Sequence, residues 1–220
     1  MKKTIFTIFA VIAMLTAAKA QETVDARNSN ISDTDTRSNI ILGAKLGANL
    51  SNAYDSEGEN FVADAKLGFV AGGFVTIPLG KLFAIQPEVL YSQKGFKGKG
   101  TLLGSDYSYT RTTDYLDVPL FVAFRPIEYL TILAGPQFSY LLSEKNEFSG
   151  AINQTQEDAF NNDNIRKNTF CLIGGADVSF DKLVIGARAG WDLKTNNGDG
   201  TSSTPRYKNY WYQLTLGYKF

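Results

Sequence analysis

The chain has 220 residues, with 22 basic and 22 acidic side chains, no histidine and one cysteine, a length that suits one domain at about 100 to 200 residues each. Without histidine the commonest general base and metal ligand is missing, and a lone cysteine has no internal disulfide partner. Balanced charge gives no basic footprint for nucleic acid, so none is expected as a partner.

Residues 1–20 read as a secretory signal. Lys2 and Lys3 precede an uncharged, mostly apolar run, and Ala18-Lys19-Ala20 before Gln21 has the small-x-small form of a cleavage site. The run is shorter than the roughly 20 residues of a spanning helix, and no cysteine at the junction offers a lipid attachment point. Cleavage removes Lys2, Lys3 and Lys19 and no acid, leaving 19 basic against 22 acidic residues. The mature chain is mildly acidic. Residues 21–39 form a polar run without an aromatic residue and are expected to be a disordered leader.

The domain proper is expected over residues 40–220, in eight segments of period-two alternation: 40–51, 65–79, 82–95, 109–124, 129–144, 168–180, 182–194 and 210–220. The second, fourth and sixth joins are tight and carry turn chemistry, around Pro78-Leu79-Gly80-Lys81, Arg125-Pro126-Ile127-Glu128 and Asp181. The other joins are long and polar, the longest over 145–167. An even strand number with short turns at one end and long loops at the other is the asymmetry of outer-membrane barrels. The predicted fold is all-β: an eight-stranded antiparallel up-and-down transmembrane β-barrel of the OmpA/OmpX type. Both termini then lie on the periplasmic side.

The last segment puts Tyr212, Leu214, Leu216, Tyr218 and Phe220 on one face and Trp211, Gln213, Thr215, Gly217 and Lys219 on the other. In hydrocarbon such a strand needs a partner for every backbone group, and pairing with the first strand supplies it. Alternation by itself also fits a soluble lipocalin-like ligand binder. The aromatic residues separate the two. Phe83, Phe124, Phe180, Tyr218 and Phe220 fall near the short-turn ends of the apolar face, and Phe69, Tyr91, Tyr140, Phe170, Trp191 and Tyr212 near the long-loop ends. Aliphatic residues fill the space between, which is the pattern of two membrane-interface girdles.

The opposite face carries Lys45, Glu88, Asp117, Arg125, Asp177, Arg188 and Asp192 among glycines at 43, 47, 68, 72, 175, 186 and 190. An eight-strand lumen is just wide enough for side chains to fill. Glycines there make room for long charged chains. Lys45, Glu88 and Arg188 are placed at one mid-barrel depth, with Asp117, Asp177 and Asp192 near enough to join them. A network of paired charges closing the lumen is favoured over a proton or ion relay, because buried charges are costly unless paired. Cys171 shares this face, where a packed thiol is expected rather than a nucleophile without a base.

Of the outer loops, the first is acidic (Asp55, Glu57, Glu59, Asp64) and the second basic (Lys94, Lys97, Lys99), so the two can pair. Neither the first nor residues 197–200 has the spacing and terminal Glu of an EF-hand, and no metal or cofactor is expected.

LGAKLGANLS in the first strand, IQPEVLYSQKG in the third, YLDVPLFVAFRP in the fourth, AGPQFSYLL in the fifth and the final QLTLGYKF together resemble the PorT-like family of bacterial outer-membrane β-barrel proteins. The resemblance covers nearly all of residues 40–220. It implies an eight-stranded barrel and a link of some relatives to protein secretion across the outer membrane, with no general active site to carry over. The function expected is a non-enzymatic scaffold, adhesin or envelope and secretion-assembly partner in the outer membrane of a Gram-negative bacterium, acting through extracellular loops and leader. Its partners would be outer-membrane lipid and lipopolysaccharide, the barrel-assembly machinery through a terminal signal at Tyr218 and Phe220, and an envelope or host protein. The alternatives are a small-solute or ion channel, which the strand number opposes, and the soluble binder. A barrel protease or acyltransferase is weakened by the missing histidine.

Overall fold

The computed structural model describes residues 36–55, 63–102, 105–150, 165–197 and 207–220. The signal peptide, the leader up to residue 35, most of the acidic first loop with Glu57 and Glu59, and most of the longest join lie outside the described residues. The described residues form eight antiparallel strands: β1 (Ile41–Asp55), β2 (Ala63–Pro78), β3 (Phe83–Leu102), β4 (Ser105–Ile127), β5 (Leu130–Gly150), β6 (Asn168–Phe180), β7 (Leu183–Asp192) and β8 (Tyr207–Lys219). Each pairs with the next, and β8 pairs with β1 from Gly43 opposite Lys219 to Asp55 opposite Tyr207, closing the sheet. The eight-stranded up-and-down barrel expected from the sequence is the fold.

Side-chain parity sets the inside and the outside. Along β8, Trp211, Gln213 and Thr215 are buried while Tyr212, Leu214 and Leu216 are exposed. Leu46 on β1 and Val122 on β4 keep 64% and 60% of their surface outside, whereas Glu88 and Arg188 are 1% and 3% exposed within. A soluble barrel holds its apolar set inside; this one holds it outside, with the polar and charged side chains enclosed.

Strand ends differ from the sequence expectation. The join expected over 96–108 is strand instead: β3 and β4 stay paired to Leu102 opposite Ser105. β1 and β5 also run further, to Asp55 and Gly150, and β8 starts at Tyr207. Phe96, Tyr109 and Tyr207 turn inward and form an aromatic cluster with Ala53, the Phe96 ring lying 5.8 Å from Tyr109 and 5.0 Å from Tyr207. Thr- and Tyr-rich sequence favours strand there. β3, β4 and β5 reach 20, 23 and 21 residues, about twice the 9–11 residues a spanning strand needs.

The fourth turn also moves. β4 continues through Arg125-Pro126 to Ile127 and the chain reverses at Glu128-Tyr129, with a register shift between Phe124 and Ile127. A bulge is where an interior proline is tolerated. A second irregularity lies where β2 and β3 slip between Ala65 and Val70. Nearby Gly95 has φ +145°, and Ser51 Oγ accepts from its N–H and donates to its carbonyl, both at 2.8 Å. A Cβ at Gly95 would run into the Arg111 carbonyl, so both the backbone conformation and the space require glycine.

Candidate functional site

The enclosed side chains form stacked layers. In the layer nearer the short turns, β1 contributes Lys45, β3 Gln86 and Glu88, β6 Asp177 and β7 Arg188. Lys45 Nζ is 2.8 Å from Glu88 Oε1; Arg188 Nη1 is 2.7 Å from Glu88 Oε2 and its Nη2 is 3.0 Å from Asp177 Oδ2. Gln86 donates to Glu88 Oε1 at 2.8 Å and accepts from Thr76 at 2.8 Å. The Lys45 ammonium lies 4.8 Å from the Phe74 ring centre, as does the Arg188 guanidinium from that of Phe121. Two cations and two carboxylates leave the layer neutral. Enclosed charges are tolerated when matched and hydrogen-bonded in this way.

Lys94 anchors the next layer. The sequence reading put it in a basic outer loop; it is buried in the lumen, 2.9 Å from Asp117 Oδ2 and 3.7 Å from the Trp211 ring centre. The reason is parity: Lys94 falls inside the expected segment 82–95 and shares its face with Glu88, Leu90 and Ser92. Ser139 donates to Asp117 at 2.6 Å. Asp192 accepts from Cys171 Sγ at 3.1 Å and from the backbone and side chain of Asn209 at 3.0 and 2.8 Å. The Cys171 thiol is wholly buried. Between the layers Gln213 donates to Asn49 (3.0 Å) and Asn49 to Ser92 (2.9 Å). Towards the long hairpins Arg111 donates to Tyr207 OH (3.0 Å) and Asn146 (2.8 Å), below the aromatic cluster. Arg111 was not singled out in the sequence, although it shares the inward parity of Asp117 and Arg125 on the same strand.

Arg125 is placed differently from the expectation of a shared charge network. It sits at the short-turn rim and donates to the carbonyls of Arg37 (2.6 Å) and Gly80 (3.1 Å), while Arg37 donates back to the carbonyls of Arg125 and Pro126 at 3.4 Å. Beside a bulge, carbonyls that leave the ladder attract a guanidinium. The Arg37 contact also holds the 3-10 turn Thr36–Ser38, so the end of the expected disordered leader is structured. A small cavity of about 30 Å³ opens at this rim, lined among others by Arg37, Phe74, Thr76, Gln86 and Asp177.

The glycines of the inner face leave the space that the large groups occupy. A Cβ at Gly190 would enter the Trp211 ring, one at Gly43 the Phe74 ring, and one at Gly186 would come within 2.5 Å of Asp177 Oδ1. On the outside Phe83 meets Phe124 (5.4 Å between ring centres) and Tyr218 meets Phe220 (5.8 Å) at the short-turn end. Phe69 stacks on Tyr91 (5.2 Å) and Phe138 packs on Phe170 (5.4 Å) at the other. Phe180, Trp191 and Tyr212 are exposed, and Tyr140 is half-buried. Phe138 shares the outward parity of Tyr140 and could have been found from it. Beyond the rings, Lys99 and Asp64 form an exposed ion pair of 2.8 Å. Among the described residues no cluster of three or more His, Cys, Asp or Glu side chains could hold a metal ion.

A sheet closed through eight strands, apolar outside and ion-paired inside, is that of a transmembrane β-barrel. The chain belongs to the outer membrane protein beta-barrel domain family, whose model matches residues 20–196, which places it in the Gram-negative outer membrane. No curated protein matches the sequence. Among solved structures it is similar to the attachment invasion locus protein Ail of Yersinia pestis in complex with the heparin analogue sucrose octasulfate, at 14% identity over 82% of this chain and 99% of that one, TM-score 0.44. It is similar also to Neisserial surface protein A, at 12% over 81% and 97%, TM-score 0.45, and to OprG of Pseudomonas aeruginosa, at 13% over 82% and 95%, TM-score 0.38.

Proposed function

We propose that this is a non-enzymatic outer-membrane barrel that works through its outward surfaces, as a scaffold, adhesin or secretion-assembly partner of the PorT-like kind, with a lumen closed to solutes. The carrying observation is the neutral Lys45, Glu88, Arg188 and Asp177 cluster under the Lys94 and Asp117 pair. In this reading the packed charges leave no continuous water column, and interaction falls to the tall hairpins of β3, β4 and β5. In this reading residues 1–20 are removed on export, residues 21–39 lead into the barrel, both termini face the periplasm and the tall hairpins face outward. Tyr218 and Phe220 are then read by the barrel-assembly machinery, and the exposed rings at the two ends of the apolar band sit at the two membrane interfaces.

The test is planar-bilayer recording of the purified chain. Silence across a wide voltage range is the expected result, and unitary open-channel steps would replace this reading with that of an ion or small-solute channel.

A further inference from the structure

Pro87, Pro119 and Pro136 lie inside β3, β4 and β5, in a closed sheet that offers none of the edges where a strand proline is ordinarily accommodated. Beside each of them the pairing with the preceding strand lapses and then resumes in the same register. β2 and β3 pair at Phe74 opposite Glu88 and again at Ile77 opposite Ile85, skipping Val75 and Pro87. β3 and β4 pair at Pro87 opposite Leu120 and again at Leu90 opposite Asp117, skipping Glu88 and Pro119. β4 and β5 pair at Pro119 opposite Gln137 and again at Val122 opposite Ala134, skipping Leu120 and Pro136. The pairings of β5 with β6, β6 with β7, β7 with β8, β8 with β1 and β1 with β2 run without a gap.

The direction of each proline nitrogen accounts for the pattern. On β4 the N–H of Arg125, an even number of residues from Pro119, donates back to Leu82 beside β3; on β5 that of Leu141, an odd number from Pro136, donates onward to Lys167 beside β6. Alternation along the strands then turns the nitrogens of Pro119 and Pro136 towards the strand before them, and the same step turns that of Pro87 towards β2. Having no N–H, the three prolines leave the carbonyls of Val75, Glu88 and Leu120 without a ladder donor. The breaks step across neighbouring strands and form one line through the sheet. On one side of that line β3, β4 and β5 continue as the tall hairpins, paired as far as Leu102 opposite Ser105 and Tyr107 opposite Gly150. They make a plate joined to the ring across its weakest pairing, and a sheet yields first where its hydrogen bonds are fewest. Glu88 lies on the line, and its side chain reaches Lys45 of β1 and Arg188 of β7 on the unbroken wall, which limits how far the plate can swing.

We propose that Pro87, Pro119 and Pro136 form a hinge line on which the plate of tall hairpins tilts, while the unbroken wall from β5 through β8 to β2 holds the ring closed. Such a plate adjusts its angle to whatever surface it meets. The hinge works on whichever side of the membrane the hairpins face. The test is NMR on the full mature chain in detergent micelles. The amides of Val75, Glu88 and Leu120 should exchange with solvent about tenfold faster than those of Arg188 and Gln213, which face each other on the unbroken wall, the scale of one missing hydrogen bond. Residues 96–102 and 105–111 should show relaxation dispersion on the μs–ms scale of collective motion. Pro136→Ala and Pro87→Ala restore a donor without touching the buried lumen side chains. They should slow exchange at Leu120 and at Val75 respectively, and each should lower the hairpin dispersion; either supplies the readout if the other fails to fold. Pro78→Ala, at the end of β2 and off the line, should do neither. Equal exchange on the two walls, hairpin dispersion untouched by the variants, or the same slowing from Pro78→Ala overturns the hinge.

Discussion

Glu88 accepts from Lys45, Gln86 and Arg188 at 2.7 to 2.8 Å, so its two oxygens hold together groups from two other strands. Removing it leaves two cations facing each other where little water can reach. Glu88→Ala should lower barrel stability by about 3 to 5 kcal/mol, the usual cost of breaking a buried ion pair from one side, read as a lower urea midpoint in detergent micelles. Glu88→Gln should suffer less, since it keeps the shape and part of the hydrogen bonding. A midpoint unmoved by Glu88→Ala would mean that the lumen charges are solvated. Trp211 offers a second probe at this scale. Its ring fills the space above Gly190 and carries the Lys94 ammonium, so Gly190→Ala must displace it. In a Trp191→Phe background, emission from Trp211 should shift to the red, with about 1 to 3 kcal/mol lost to overpacking; unchanged emission would mean that the ring has room to spare.

At the scale of elements, alternation in the sequence made the faces legible and left the ends illegible. Period two in β1, β3, β6 and β7 is enough to turn Lys45, Glu88, Asp177 and Arg188 inward. It says nothing of where a strand stops once its outer face leaves hydrocarbon. Beyond Gly95 the outward positions are Lys97 and Lys99, which read as loop, while the inward Phe96, Gly98 and Tyr109 continue the pattern and pairing continues with them. Lys94 was grouped with these lysines by charge, although its parity within the expected segment 82–95 already turned it inward. Arg125 has the parity of the lumen, but its partners are the carbonyls of Arg37 and of the β2–β3 turn at Gly80, which no spacing reveals. Arg125→Ala should therefore speed hydrogen exchange at residues 36–40 and leave the global midpoint nearly unchanged. A large midpoint shift would tie Arg125 to the barrel's central packing instead. The last strand carries a different expectation. Phe220 exposes 77% of its surface and its backbone N–H donates to Leu42 at 2.9 Å, so losing it costs the finished barrel little. Deleting Phe220 should reduce the amount inserted in cells and spare refolding in detergent; equal losses in both would make the residue merely structural.

At the scale of the whole molecule, closure governs stability. Within the apolar band each strand has a neighbour on both sides, and an open sheet there would expose unpaired N–H and C=O groups to hydrocarbon at several kcal/mol each. Opening one seam is then unfavourable without disrupting the rest, so the barrel should resist sodium dodecyl sulfate at room temperature and unfold only on heating. The folded chain should run at a different apparent mass before and after boiling. The seam between β8 and β1, which spans Gly43 to Asp55, is the place to test the cause. A chain truncated before Tyr210 keeps seven strands and their lumen charges but cannot close, and β1 and β7 become bare edges. It should lose the boiling-dependent shift and aggregate through those edges. If the truncated chain still shows the shift, resistance comes from the packed lumen layers rather than from closure, and the Glu88 variants would then be the ones to abolish it.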